Sequence, residues 1–198
     1  MALGGESGNP IDLHVAILLR ALVPYRKLTH DEALFYAEQQ ASVFLKLTHV
    51  HEPPVRIEQI VGELGLAAGI RADPQQEQSG MSRFDEAAKD WVITLSVGVP
   101  AVDRSFVIAH EVKHILDNGF GELLYGPVDV MSKAQRTEFA ADYFATCLIM
   151  PRLWLERDWK RGVRSLGELA NRFGTSASHL RHRLEALGLL EAEDRNTA

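Results

Sequence analysis

Cysteine is almost missing from this chain: Cys147 stands alone among 198 residues. A single thiol excludes a disulfide framework and leaves no Cys-based zinc site. Long hydrophobic runs are missing too. The most apolar early stretch, Ile11 to Val23, is too short to cross a bilayer and is interrupted by Asp12, His14 and Arg20. The N-terminus lacks a basic region followed by a clean apolar run and a cleavage signature, so the expected location is the cytoplasm. Positive charge is in deficit, with a formal net charge of -6, which argues against a surface that coats nucleic acid. What is present, 46% hydrophobic residues over 198 positions, suffices for one main core and a small appendage.

Against that background, His110-Glu111-Val112-Lys113-His114 stands out. This HExxH pattern sets two histidines one helical turn apart, about 40° from each other around the helix axis. Both imidazoles can then reach one ion, and Glu111 falls beside it as a general base for an attacking water. The chain holds eight histidines, and a chance match has a probability of roughly two to three per cent, so context has to carry the reading. Phe106, Val107, Ile108, Ala109, Val112, Ile115 and Leu116 nearly surround the segment with apolar residues. That pattern predicts a buried helix, opened by Asp103 or Ser105 and closed by Gly119. Polar residues on such a helix need a compensating partner.

A catalytic zinc needs a third protein ligand, and the stretch from Ser132 to Met150 offers one on a separate helix. Ser132 with Gln135 forms a capping box signature, and Pro151 stops the pattern. Glu138 and Asp142 share one face, beside the small Ala141 and Ala145 that let another helix come close. Glu138 is the expected third ligand, and Asp142 the acceptor that orients a ligating imidazole. Phe139, Tyr143, Cys147 and Met150 are expected in the core.

Elsewhere the reading is coarser. Asp31 to Leu47 has helical spacing after a cap signal at Thr29. Residues 48 to 54 read as a linker, with His49 and His51 on the surface. Gly80 to Phe84 and Trp91 to Val97 read as two strands of a hairpin whose edge can align an extended peptide. Ser165 to Gly174 and Ser176 to Gly188 read as two short capped helices around Gly174, a helix-turn-helix shape with Leu166, Leu169, Phe173, Leu180, Leu184 and Leu187 inside. Between Glu156 and Arg183 basic residues outnumber acidic ones, and His179, Arg181, His182 and Arg183 are expected on or near the exposed side, for DNA or a partner. Few cations give limited phosphate affinity, so partner docking is favoured over direct DNA binding.

Three segments resemble the ImmA/IrrE-type zinc metallopeptidases: Trp91 to Leu95, Arg104 to Leu116, and Glu138 to Pro151, with Pro54 to Leu66 similar to the short helix before that family's sheet. The resemblance implies zinc held by His110, His114 and Glu138, with Glu111 as catalytic acid/base. Two positions depart from the pattern: Lys113 replaces a common glycine, and Asp142 an asparagine. The expected fold is α+β, a mainly helical zincin-like core over 1–155 with a small β-hairpin, then a helix-turn-helix-like segment over 156–198. The expected activity is zinc-dependent peptide hydrolysis, with Tyr125, Tyr143 and His179 open as the donor for the oxyanion. By resemblance, the substrate is a regulatory protein such as a helix-turn-helix repressor of stress or mobile-element genes. The alternative is a DNA-binding or protein-binding regulator, antirepressor- or antitoxin-like, with a structural or vestigial zinc site.

Overall fold

The computed structural model describes residues 10–63, 69–126 and 131–190. Nine helices and three strands are found among them: α1 (Pro10–Ala21), α2 (His30–Leu47), α3 (Ile57–Glu63), β1 (Gly69–Asp73), β2 (Gly80–Asp85), β3 (Asp90–Ser96), α4 (Arg104–Asp117), α5 (Gly121–Leu124), α6 (Lys133–Ile149), α7 (Arg152–Lys160), α8 (Leu166–Phe173) and α9 (Ala177–Ala186). The architecture is α+β and mainly helical, as the sequence predicts. No described helix is long and apolar enough to cross a membrane.

Two capping boxes start the long helices. Thr29 Oγ1 accepts from the Glu32 N–H while the Glu32 carboxylate accepts from the Thr29 N–H, and Ser132 and Gln135 repeat the exchange at α6. Each box satisfies two backbone donors that a helix start otherwise leaves open. Asp103 stands at the start of α4, but its backbone is helical (φ -99°, ψ -7°) and its side chain makes no capping bond. A capping side chain needs an extended backbone at that position, so the expected cap by Asp103 is absent.

The helix α4 is central. Ile108, Ala109, Val112, Ile115 and Leu116 are buried in the main core with Phe44 of α2, Ile93 and Leu95 of β3, and Phe144 of α6. Helix α6 packs on both α2 and α4, and its contact surface is made of small residues, Ala140, Ala141 and Ala145, all fully buried. Phe139 does not join them. It falls with Glu138 and Asp142 on the open side of α6, is 51% exposed and meets the His30 ring edge-on, which corrects its expected place in the core.

The sheet has the order β1-β3-β2, with β1 parallel and β2 antiparallel to β3. The predicted hairpin of β2 and β3 is present, and β1 extends it by a strand that the sequence pattern does not announce. Strand β2 therefore lies at an edge and packs against α4.

Helices α8 and α9 meet at Gly174, whose left-handed backbone (φ 64°, ψ 43°) ends α8, as the two-helix reading predicts. Leu169, Phe173, Leu180 and Leu184 are buried in the same core cluster as α4. Arg183 points inward with them. It is 3% exposed, donates to the Met150 carbonyl (3.3 Å), lies 3.5 Å from Cys147 Sγ and sits over the Tyr143 ring. The expectation of an exposed Arg183 available to DNA or a partner is thus corrected: the side chain fills the joint between α6 and α9. Arg181 is half-buried and His182 exposed.

Candidate metal centre

Helical spacing on α4 and α6 brings three donors to one point. His110 Nε2 lies 2.9 Å from His114 Nε2 and 3.3 Å from Glu138 Oε2, and His114 Nε2 lies 3.5 Å from Glu138 Oε1. Among the described residues these three form a group able to hold a metal ion. Metal–ligand bonds of about 2.0–2.1 Å at tetrahedral angles place neighbouring ligand atoms about 3.3–3.4 Å apart. The separations, those to Glu138 measured to either oxygen of its carboxylate, lie around that value, so the donor set is of a kind that would hold a tetrahedral ion such as zinc.

Asp142, one turn beyond Glu138, reaches His110 Nδ1 at 2.8 Å. With the Nδ1 proton directed at this carboxylate, the Nε2 lone pair faces the metal position, which is the orientation a ligand needs. The two imidazoles differ in their affinity for protons. Burial draws the His110 pKa down, but the hydrogen bond and charge of Asp142, helped by Glu111 and Glu138, outweigh it and leave the pKa raised. His114 is held below its ordinary value, first by burial and then by the positive charge of His110. The pocket accepts one positive charge on its histidines and resists a second, which suits a pair whose lone pairs share one cation.

Glu111 is buried at 5% exposure and borders the same groove, a cleft of about 950 Å³ lined on its helical side by Phe106, Val107, His110, His114 and Glu138. Its other wall, from Glu77 to Ser82, is the start of the edge strand β2 and the loop that leads into it. Gly80 lies so close to α4 that a Cβ there would stand 2.5 Å from Val107 Cγ1 and 2.9 Å from Glu111 Oε1. The absent side chain lets β2 lie against the base. The sequence reading placed Gly80 at the start of a strand and assigned it no function. Its one signal was a glycine inside an alternating pattern, which marks a close backbone approach.

Of the three residues left open as oxyanion donors, two are engaged elsewhere. The Tyr125 hydroxyl is buried and donates to Asp117 in a short hydrogen bond, and Tyr143 faces Glu38 and Arg183. His179 lines the groove. His49 and His51 are exposed, with ring centroids 6.4 Å apart, and stand outside the metal group.

A structure described as a Mycobacterium tuberculosis transcriptional regulator shares the fold, with a TM-score of 0.60 at 16% identity over 86% of this chain. The chain spans about half the length of that structure (51%). Among curated proteins none matches. The family model of peptidase M78, the IrrE N-terminal-like domain, matches residues 69–185. That span takes in the sheet, both donor helices and the two terminal helices, and the chain belongs to this family of metallopeptidase-like and regulatory domains.

Proposed function

We propose that this protein is a zinc-dependent endopeptidase that cuts a specific regulatory protein, with helix-turn-helix repressors as the substrate class. The observation that carries the reading is the convergence of His110, His114 and Glu138, with Glu111 beside them in a groove walled by an edge strand. His110, His114 and Glu138 would hold the ion, with Asp142 fixing the His110 ring. A bound zinc supplies Lewis acidity, polarising a carbonyl and making water easier to deprotonate.

The chain's own residues perform the rest. The free backbone groups of β2 pair with an extended substrate segment and hold its scissile amide along the groove. Glu111 takes a proton from the attacking water as its oxygen bonds to the carbonyl carbon. It then returns that proton to the leaving amine as the C–N bond breaks. Its burial against Gly80 limits competing bulk water. The choice of a repressor as substrate rests on family likeness; the groove itself accounts for an extended peptide.

Metal analysis by plasma mass spectrometry on the wild type, His114→Ala and Glu138→Ala tests the centre. The expected result is about one zinc per chain in the wild type and a marked loss in both folded variants. Glu111→Gln should retain the zinc and lose about 10²–10⁴-fold in cleavage of the target. A wild type that binds no zinc when the ion is supplied would end the peptidase reading.

A further inference from the structure

His179 is the third imidazole of the groove, and the metal group leaves it unused. It comes from α9, far along the chain, and its ring stacks on Phe106 at 4.6 Å between centroids and 28° between planes. Phe106 lies one helical turn before His110 on α4, so the stack places the imidazole on the same helix face as the metal ligands, one step along the groove. On its other side Nδ1 lies 3.5 Å from Asp103 Oδ1. Both atoms are shut off from solvent and neither has a hydrogen-bond partner.

An orphaned buried pair of this kind is unusual, because buried polar atoms nearly always find partners. Hydrogen bonds of catalytic groups are often long without substrate and tighten when it binds. The side chain as a whole is 36% exposed. With Nδ1 enclosed beside Asp103 and the ring lining the groove, Nε2 is the ring nitrogen left for a substrate. With Nδ1–H turned to Asp103, a ring that carries a proton on each nitrogen still has Nε2–H to offer a substrate. The other uncharged polar side chains of the groove, Gln78, Ser79, Ser82 and Ser96, come from β2, the end of β3 and the loop before β2.

We propose that His179, oriented by Asp103, donates Nε2–H to the substrate oxygen that becomes negative during peptide cleavage. The inference rests on the peptidase reading of the groove. As water oxygen bonds to the carbonyl carbon, the π pair of that carbonyl moves onto its oxygen, and the water proton goes to Glu111. The hydrogen bond from His179 strengthens as the charge grows, with no proton transferred. When the C–N bond breaks, the π bond re-forms and the amine leaves with the proton from Glu111. His179 is a catalytic residue in this scheme, and Asp103 is a positioning residue that acts through it. The C-terminal helix α9 thereby completes the active groove.

A phosphinic peptide, with a tetrahedral PO₂⁻–CH₂ unit in place of the scissile amide, probes this donor without turnover. Its affinity is measured by calorimetry on zinc-loaded wild type, His179→Phe, His179→Gln and Asp103→Asn. The phenylalanine keeps the stack on Phe106 and removes the donor, so zinc content and melting temperature should match the wild type while affinity falls roughly 10- to 100-fold. The glutamine, which still offers an N–H, should recover part of the loss. Asp103→Asn should weaken binding less, and adding it to His179→Phe should cost nothing further, as expected of a residue acting through His179. Binding by His179→Phe and His179→Gln within twofold of the wild type overturns the assignment and leaves the peptidase reading standing. A zinc-loaded wild type that does not bind the probe removes both.

Discussion

Glu111 and Lys113 leave α4 on either side of Val112, and both are buried, for different reasons. Glu111 faces the groove and is held there by contact with Gly80. Lys113 faces α2; its Nζ donates to Gln40 Oε1 of that helix and to Asp117 Oδ1 one turn along α4, each at 2.7 Å. Burial pulls the Lys113 pKa below its ordinary value, and the charge and hydrogen bond of Asp117 oppose that fall only in part. A lysine where the family commonly has glycine suggests from sequence a change in how the neighbouring strand packs. In the structure its side chain turns away from the sheet to α2. Gly80 bears on the strand instead. Gly80→Ala drives a methyl group into Val107 and the Glu111 carboxylate, so stability should fall by about 1–3 kcal/mol. Glu111 should shift, while the zinc content expected of the His110, His114 and Glu138 group should stay unchanged. Urea unfolding, metal analysis and cleavage of the target together test this. Full cleavage activity with unchanged stability would show that β2 can give way and that the close approach has no role.

Helix α6 shows how an element's end supports a site elsewhere on it. Its capping box at Ser132 and Gln135 fixes where the helix begins, and Glu138 and Asp142 follow on its open side. Ser132→Ala removes one half of the box and should cost about 1 kcal/mol, lowering the melting temperature by roughly 2–4 °C, with zinc content unchanged because the later turns are packed on α2 and α4. A calorimetric scan with metal analysis measures both, and loss of zinc would mean that the cap sets the position of Glu138. Caps and apolar spacing also explain what the sequence reveals at this scale. Helices α2, α4, α6, α8 and α9 and the β2–β3 hairpin each carry a local signal, either a cap, a period or a terminal glycine. Strand β1, Gly-Ile-Arg-Ala-Asp, carries none: three residues are half-buried and two adjacent ones are exposed, with no alternation. Its parallel pairing with β3 depends on a long-range contact that no local pattern encodes. Helix α7 was hidden by Pro151, read only as a stop. Proline lacks an N–H, so it ends α6, and the same property suits it to the start of the next helix. At the candidate metal centre the convergence of His110, His114 and Glu138 is legible because these positions obey helical spacing. The Asp103–His179 approach was not, because it joins α4 to α9 through tertiary packing alone.

On the scale of the whole molecule, the open question is whether residues 156–198 form a separable unit, as the helix-turn-helix shape suggests. Among the described residues, Leu169, Ala170, Phe173, Leu180 and Leu184 belong to the same buried cluster as Ile108 and Val112 of α4 and Phe144 of α6. Arg183 closes the joint by bonding to the end of α6 at Met150. Full burial of an aliphatic or aromatic side chain contributes about 1.5–3 kcal/mol. The four large residues alone are therefore comparable with the 5–15 kcal/mol that holds a domain folded. A chain shortened to residues 1–155 should lose its cooperative thermal transition and its ability to hold zinc, since the buried cluster shared with α4 and α6 would lose Leu169, Phe173, Leu180 and Leu184. Near-UV circular dichroism and metal analysis of the shortened protein decide the matter. A cooperative melt within a few degrees of the full chain, with zinc retained, would show that the terminal helices are an appendage. Without such a melt they are part of the fold that builds the groove, and a partner gripping α9 would act on His179 directly.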